Sequence, residues 1–177
     1  MLTHIFSPAT CAQCRLCCNF CQRSAWETPF LEPKLAATLE GRGVKLTSRH
    51  NGARSYALSF STTDPEETCN CPLLDPTRGC TLPRDQRPFE CRVWPLRLMH
   101  DEEQNLCIAC YRDCPALLAQ ETWQRIVDEA TGHLLPLLLE YAEKFPESIR
   151  PLDAHYTIIW TNKKAAAPSV VYEPRSR

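Results

Sequence analysis

Cysteine crowds the start of this chain. The stretch CAQCRLCCNFCQ carries Cys11, Cys14, Cys17, Cys18 and Cys21, and the 177-residue chain holds 12 cysteines in all. They fall in three groups, with four more at Cys69, Cys71, Cys80 and Cys91 and three at Cys107, Cys110 and Cys114. Thiols at this density are disulfide partners, metal ligands or a packed apolar face, and each choice implies a different fold.

Disulfides need an oxidising compartment. The N-terminus has no basic n-region, and Leu2 to Phe6 is too short for the apolar core of an export signal. The expected location is the cytoplasm, where dense cysteines serve as metal ligands or redox groups. A helical face is the second choice. At about 100° per residue, the five sulfurs of the first group project within an arc of about 120°. Buried free cysteine packs as a small hydrophobe, but a core has little reason to use a dozen oxidisable thiols.

Metal ligation remains. Cys-x2-Cys units bring two sulfurs to one ion across a tight turn. The chain has four such units, Cys11/Cys14, Cys14/Cys17, Cys18/Cys21 and Cys107/Cys110. A straight helix would spread Cys11 to Cys21 over about 15 Å. The segment must therefore curl, or its sulfurs must feed two sites. Cys11-x2-Cys14-x2-Cys17-x3-Cys21 has the bacterial ferredoxin spacing, with Gln22 in place of the usual proline. Cys107-x2-Cys110-x3-Cys114-Pro115 matches the tail of the same run, proline included. Both matches favour an iron–sulfur cluster, 4Fe-4S in type, while zinc accepts the same four-cysteine sets.

The blocks taken together resemble a known family. CAQCRLCC has the form CxxCxxCC, and it is followed in order by CPLLD at Cys71, by CTLPRDQRPFECRVWPL with Cys80 and Cys91, and by an RP-x2-CR-x2-P core at Arg87 to Pro95. This pattern, over residues 11–114, is similar to the CxxCxxCC (YkgJ-like) family of cysteine-cluster proteins, described as zinc- or iron-chelating and often as iron–sulfur proteins. The resemblance implies Cys11, Cys14, Cys17, Cys18, Cys71, Cys80 and Cys91 as ligands. Cys21 and Cys69 stand outside its pattern, and Thr81-Leu82 replaces an aromatic often found after the third-block cysteine. A related motif in a flagellin lysine methylase adds methyl transfer to the alternatives.

Six arginines lie between Arg78 and Arg112, among them Arg84, Arg87 and Arg92. Most read as surface residues paired to nearby carboxylates. Arg87 and Arg92 flank Cys91 within the family block and are expected to bind the cofactor, offsetting thiolate charge or holding an anion. The formal net charge of −1 gives no global field for nucleic acid or a membrane surface. No apolar run approaches the roughly 18 to 20 residues that span a bilayer. P-loop, GxGxxG and HExxH motifs are absent.

The expected fold is a small α+β: an irregular, metal-organised cysteine-rich core with short β-hairpins, then a C-terminal helical pair. PKLAATLE at 33–40 reads as a helix with proline in its first turn. VKLTSR and ARSYALSF read as a hairpin turning at Asn51-Gly52. Residues 61–90 read as loop. RVWPLRLM and NLCIACY read as a second hairpin, with Pro95 putting its strand at an edge or bulge. Helical spacing follows Pro115, Pro136 sits in or kinks a second helix, and HYTIIW reads as a late strand. The expected domains are 1–115 for the cysteine cluster, 116–160 for the helical pair and late strand, and 161–177 for a flexible tail.

Three functions fit: a metal-binding protein with one or two iron–sulfur clusters in an electron-transfer or accessory role, a metal-dependent enzyme of redox or methyl-transfer type, and a zinc-stabilised interaction module. The first expects a redox or protein partner. Neither substrate nor catalytic residue is legible.

Overall fold

Residues 2, 5–6, 8–49, 52–117 and 120–162 are described by the computed structural model. They mix short helices with small antiparallel sheets, an α+β chain. The chain divides into two units, one of Phe6–Trp94 and one built from Pro95 onward with Leu2 and Ile5. The expected break near residue 115 falls instead at Trp94–Pro95, because the strand carrying Cys107 and Cys110 pairs with the last strand of the chain.

The first unit is assembled from pieces too short to show periodicity. Helix α1 covers Pro8–Cys14 and strand β1 covers Asn19–Cys21. Helix α2, Pro33–Gly41, starts on Pro33, whose missing N–H costs nothing in a first turn, and buries Ala36 and Leu39. Strands β2 (Leu46–Ser48) and β3 (Arg54–Tyr56) form the expected hairpin, in the register Leu46 to Tyr56 and Ser48 to Arg54. Gly52 takes φ +77, and the other half of the expected turn, Asn51, lies outside the described residues.

The stretch expected as loop is more ordered than its composition suggests. Strand β4 (Thr68–Asn70) pairs with β1, β5 (Leu74–Asp75) pairs with β6 (Gly79–Cys80), and α3 covers Phe89–Val93. Strands of two or three residues carry no alternation to read, and their partners are remote or set by turns. Carboxylates fix those turns. Glu67 accepts the backbone N–H of Ser61 and Thr62, and Asp75 accepts those of Thr77 and Arg78. The core beneath is small: Phe20, Leu31, Ala36, Leu39, Tyr56, Leu73 and Leu82, with Cys71 among them.

The second unit holds a four-stranded sheet in the order β10-β8-β7-β9, where β7 is Leu96–His100, β8 Leu106–Tyr111, β9 Arg150–Pro151 and β10 Tyr156–Thr161. Helix and turn take up Phe89 to Pro95, so β7 starts after the proline and not at Arg92 as expected. Strand β7 lies inside the sheet, and the Pro95 carbonyl accepts the N–H of Tyr111. Helices α4 (Gln120–Thr131) and α5 (Leu134–Lys144) form the expected pair, burying Trp123, Ile126, Ala130, Leu134 and Leu138. Pro136 sits in the first turn of α5, where its N–H would be unsatisfied in any case. Thr161 closes β10 and Asn162 follows it, and the rest of the expected tail, 163–177, lies outside the described residues. No helix among the described residues is long and apolar enough to cross a membrane.

Candidate metal centre

The first cysteine block curls. Cys11 and Cys14 are three residues apart on α1, hence on one face. Arg15 then takes the left-handed conformation, φ 54 and ψ 7, which ends the helix. Its side chain holds the turn: Nε donates to the Ala12 carbonyl at 2.9 Å and Nη2 donates to the Pro76 carbonyl. Cys17 and Cys18 follow on a 3-10 turn, with their Sγ atoms 4.0 Å apart. A tetrahedral zinc–thiolate site has sulfur–sulfur edges of about 3.8 Å, from bonds of about 2.3 Å. The continuous thiol-lined helix does not form, because Arg15 interrupts it.

The second block is brought to the first by backbone pairing. The Cys71 N–H donates to the Cys18 carbonyl at 2.7 Å. Cys80 stands opposite Leu74 in the β5–β6 pair. Beside it, Gly79 passes close to α1 with φ +80, where an added Cβ would lie 3.3 Å from the Ala12 Cα. Cys91 comes in on α3.

The thiols register one another's charge. Burial pushes the Cys91 thiol well up, and Cys71, Cys18 and Cys80 add to the shift. Burial likewise raises Cys71 to about 12, with Cys18 and Cys80 contributing. Cys17 is raised by its hydrogen bond to Cys18, then by burial, with further contributions from Cys18, Cys91 and Cys11. Cys18 is the counterpart: accepting that hydrogen bond lowers it to about 7, against burial and with help from Arg87. Cys11, the exposed member, is raised by burial of its sulfur and by Cys14, while Arg84 and Arg87 pull it down. All seven cysteines that the family resemblance implied are thus joined in one electrostatic neighbourhood.

Arg87, expected to bind a cofactor, lies close enough to the thiols to act on them. It lowers the Cys80 and Cys18 thiols and donates from Nε to the Leu82 carbonyl at 3.3 Å. Arg92 lies on α3, and its Nε is buried without a hydrogen-bond partner among the described residues. Arg84 joins the cluster by acting on Cys11, although its sequence position does not separate it from the surface arginines. The sequence reading missed Tyr56. It is buried in the core, its hydroxyl is raised by burial, and the thiols acting on it are Cys91, Cys71, Cys80 and Cys18. Its only sequence signal was a place in a strand.

The remaining cysteines stand elsewhere. Phe20 pairs with Cys69 and Cys21 with Thr68, so Cys21 and Cys69 emerge on opposite faces of the β1–β4 pair. The Cys21 thiol donates to the Pro65 carbonyl at 2.9 Å. In the second unit, the expected Cys107-x2-Cys110 turn does not exist. Both residues lie within β8, where positions three apart face opposite sides of the sheet. The Cys107 thiol donates to the Met99 carbonyl at 3.3 Å, and burial raises it to about 11. Cys110 and Cys114 are both buried and near enough for Cys114 to raise Cys110 further. They read as packed thiols, Cys107 and Cys110 within the sheet and Cys114 just beyond β8.

Among the described residues, no three His, Cys, Asp or Glu side chains are gathered tightly enough to hold an ion as they stand. The seven sulfurs act on one another electrostatically without forming such a group. No family model, curated protein or solved structure matches this chain. The resemblance to the CxxCxxCC proteins therefore rests on the cysteine blocks themselves.

Proposed function

We propose that the Phe6–Trp94 unit is a cysteine-ligated metal-binding module, carrying iron–sulfur chemistry in an electron-transfer or accessory role in the reducing cytoplasm. The observation that carries this reading is that Cys18, Cys71 and Cys80, from separate sequence blocks, meet at one small core, with Cys91, Cys17, Cys11 and Cys14 in the same electrostatic neighbourhood. The donor set is all sulfur, which suits iron–sulfur clusters and zinc and does not suit magnesium or calcium. Arg84 and Arg87 offset the negative charge of ligated thiolates. Arg92, next to Cys91 in sequence, has a buried Nε without a hydrogen-bond partner among the described residues. An iron–sulfur cluster would supply one electron at a potential set by its surroundings.

Ligation would draw the thiols together and displace their protons, so metal binding and tightening of the fold are one process. It would also organise a unit whose own apolar core is small. Anaerobic purification with absorption spectroscopy, iron and acid-labile sulfide analysis tests the proposal. The expected protein is brown, with iron and sulfide in equal amounts. A colourless protein with stoichiometric zinc would transfer the site to a zinc-stabilised interaction module. The 4.0 Å Cys17–Cys18 edge favours that second reading.

A further inference from the structure

Cys17 and Cys18 are adjacent in sequence and in contact in space. Their Sγ atoms stand 4.0 Å apart on the 3-10 turn Leu16–Cys18. Both residues are half-buried, neither sealed in the core nor fully exposed. Such a position admits a small oxidant and hinders a bulky one. Two thiols this close can form a disulfide once their side chains rotate toward each other, but adjacent positions resist it. Neighbouring Cα atoms across a trans peptide are about 3.8 Å apart, short of the roughly 4.4–6.8 Å that disulfides usually span. The bond would be strained, and strained disulfides are readily reduced. In a reducing compartment that makes a transient, sensing bond and not a structural one.

The backbone around the pair is committed to other contacts. The Cys18 N–H donates to the Arg15 carbonyl at 2.8 Å, which closes the turn after the left-handed Arg15. The Asn19 N–H donates to the Leu16 carbonyl. The Cys18 carbonyl accepts the Cys71 N–H at 2.7 Å, and this bond ties the first cysteine block to the second. Cys71 lies in the buried core, and Cys18 packs against it. Closing a ring through adjacent cysteines must twist the backbone of both residues, and the Cys18 carbonyl moves with it.

We propose that Cys17 and Cys18 are a redox-modification site: a hydroperoxide oxidises them to a vicinal disulfide, and the bond loosens the junction between Cys18 and Cys71. One hydroperoxide serves one pair. One sulfur attacks the O–O bond, becomes a sulfenic acid and releases water or an alcohol. The other sulfur then attacks the first, the S–O bond breaks, and the oxygen leaves as water with the remaining thiol proton. The two sulfurs lose two electrons in all, and the peroxide oxygens gain them. Metal ligation and the disulfide exclude one another, so the disulfide belongs to the metal-free chain. The step itself does not rest on the metal-binding reading above.

Treatment of the metal-free full-length chain with one equivalent of hydrogen peroxide under anaerobic conditions tests it. Two of the 12 thiols should be lost. Alkylation, trypsin digestion and fragmentation should place the new bond between Cys17 and Cys18 in the peptide 16–23, which also holds Cys21. Cys21→Ser should form the same bond. Glutathione should restore both thiols. Amide exchange at Cys71 should run about tenfold faster in the oxidised chain, the scale of one lost hydrogen bond. No loss of thiols, or a bond mapped to any other pair, would overturn the site, and this result is read on the natural sequence without relying on a variant that folds. A disulfide that glutathione leaves intact would overturn the transient bond. Unchanged exchange at Cys71 with the bond in place would overturn its link to the second block.

Discussion

A Cβ added at Gly79 would stand 3.3 Å from the Cα of Ala12, and this backbone approach holds the first cysteine block against the second. Gly79 is also at φ +80, where an L side chain is strained. Gly79→Ala should therefore cost roughly 1–2 kcal/mol from conformation alone, with more from displacing α1. Urea unfolding of the metal-free protein measures the first effect. Metal capacity measures the second, since Cys80 is the next residue. Unchanged stability and capacity would show that the two blocks do not depend on this contact.

Tyr56 offers a test at the enclosed side of the cluster. Its hydroxyl is the polar end of a buried side chain with four thiols acting on it. Phenylalanine keeps the ring and removes only the donor. Groups that orient and hydrogen-bond metal ligands typically matter by about 10- to 100-fold in affinity. Tyr56→Phe should fold normally and bind metal at least about tenfold more weakly, at the low end of that range. If an iron–sulfur cluster is present, losing the dipole of a neighbouring hydroxyl should lower its midpoint potential. Equal affinity and equal potential in the variant would reduce Tyr56 to a packing residue.

The thiol shifts set a pH signature with opposite signs for the free and loaded protein. Burial raises Cys71 from an ordinary 9.0 to about 12 and Cys107 to about 11. A group raised in the folded state contributes stability in full below its unfolded value and loses it as pH climbs through the folded one. The metal-free fold should therefore weaken from about pH 9 upward, by about 1.4 kcal/mol per pH unit for each thiol that ionises only on unfolding. Metal binding needs thiolates and should strengthen with pH, releasing protons as it proceeds. Thermal melts of both forms from pH 6 to 10 separate the two trends. A metal-free form whose stability stays flat to pH 10 would contradict the buried-thiol assignment.

The grouping of thiols in the first unit is legible because cysteine blocks in a fixed order constrain space more than local structure does. The curl at CAQCRLCC followed from length, since a straight helix cannot gather its sulfurs. Its mechanism did not, because nothing in the sequence marks Arg15, rather than a glycine, for φ 54. The Cys107–Cys110 spacing does not make a turn, for a physical reason. NLCIACY was read as a strand, and a strand with period two sends positions three apart to opposite faces. Strand pattern and ferredoxin spacing were in conflict, and the strand prevailed. Residues 61–90 hid their order because capping carboxylates and two-residue pairings leave no periodic trace.

Glu67 shows how that hidden order is held. Its carboxylate accepts two backbone N–H groups, from Ser61 and Thr62, and the Thr62 hydroxyl. These bonds lower its pKa, the Ser61 N–H contributing most. A lowered carboxylate contributes above its unfolded value, and the contribution is lost as pH falls through the folded one. Amide exchange at Ser61 and Thr62 should be slow at neutral pH and accelerate below about pH 4, near the ordinary Glu range. In Glu67→Gln it should be fast throughout. Protection unchanged by that substitution would mean the turn is held by its backbone alone.

Cys110 and Cys91 separate packing from ligation most sharply. Both are thiols raised by burial, but only Cys91 has thiols from several blocks as neighbours. Cys110→Ser puts a hydroxyl into an apolar sheet interior and should cost about 1–3 kcal/mol. Metal stoichiometry should be unchanged, because β8 turns Cys107 and Cys110 to opposite faces. Cys91→Ser should lose metal and the stability that binding confers. Chemical unfolding with metal analysis on both variants gives the comparison. If Cys110→Ser releases metal as Cys91→Ser does, the cysteines of the second unit are ligands, and the assignment of the centre to Phe6–Trp94 alone fails.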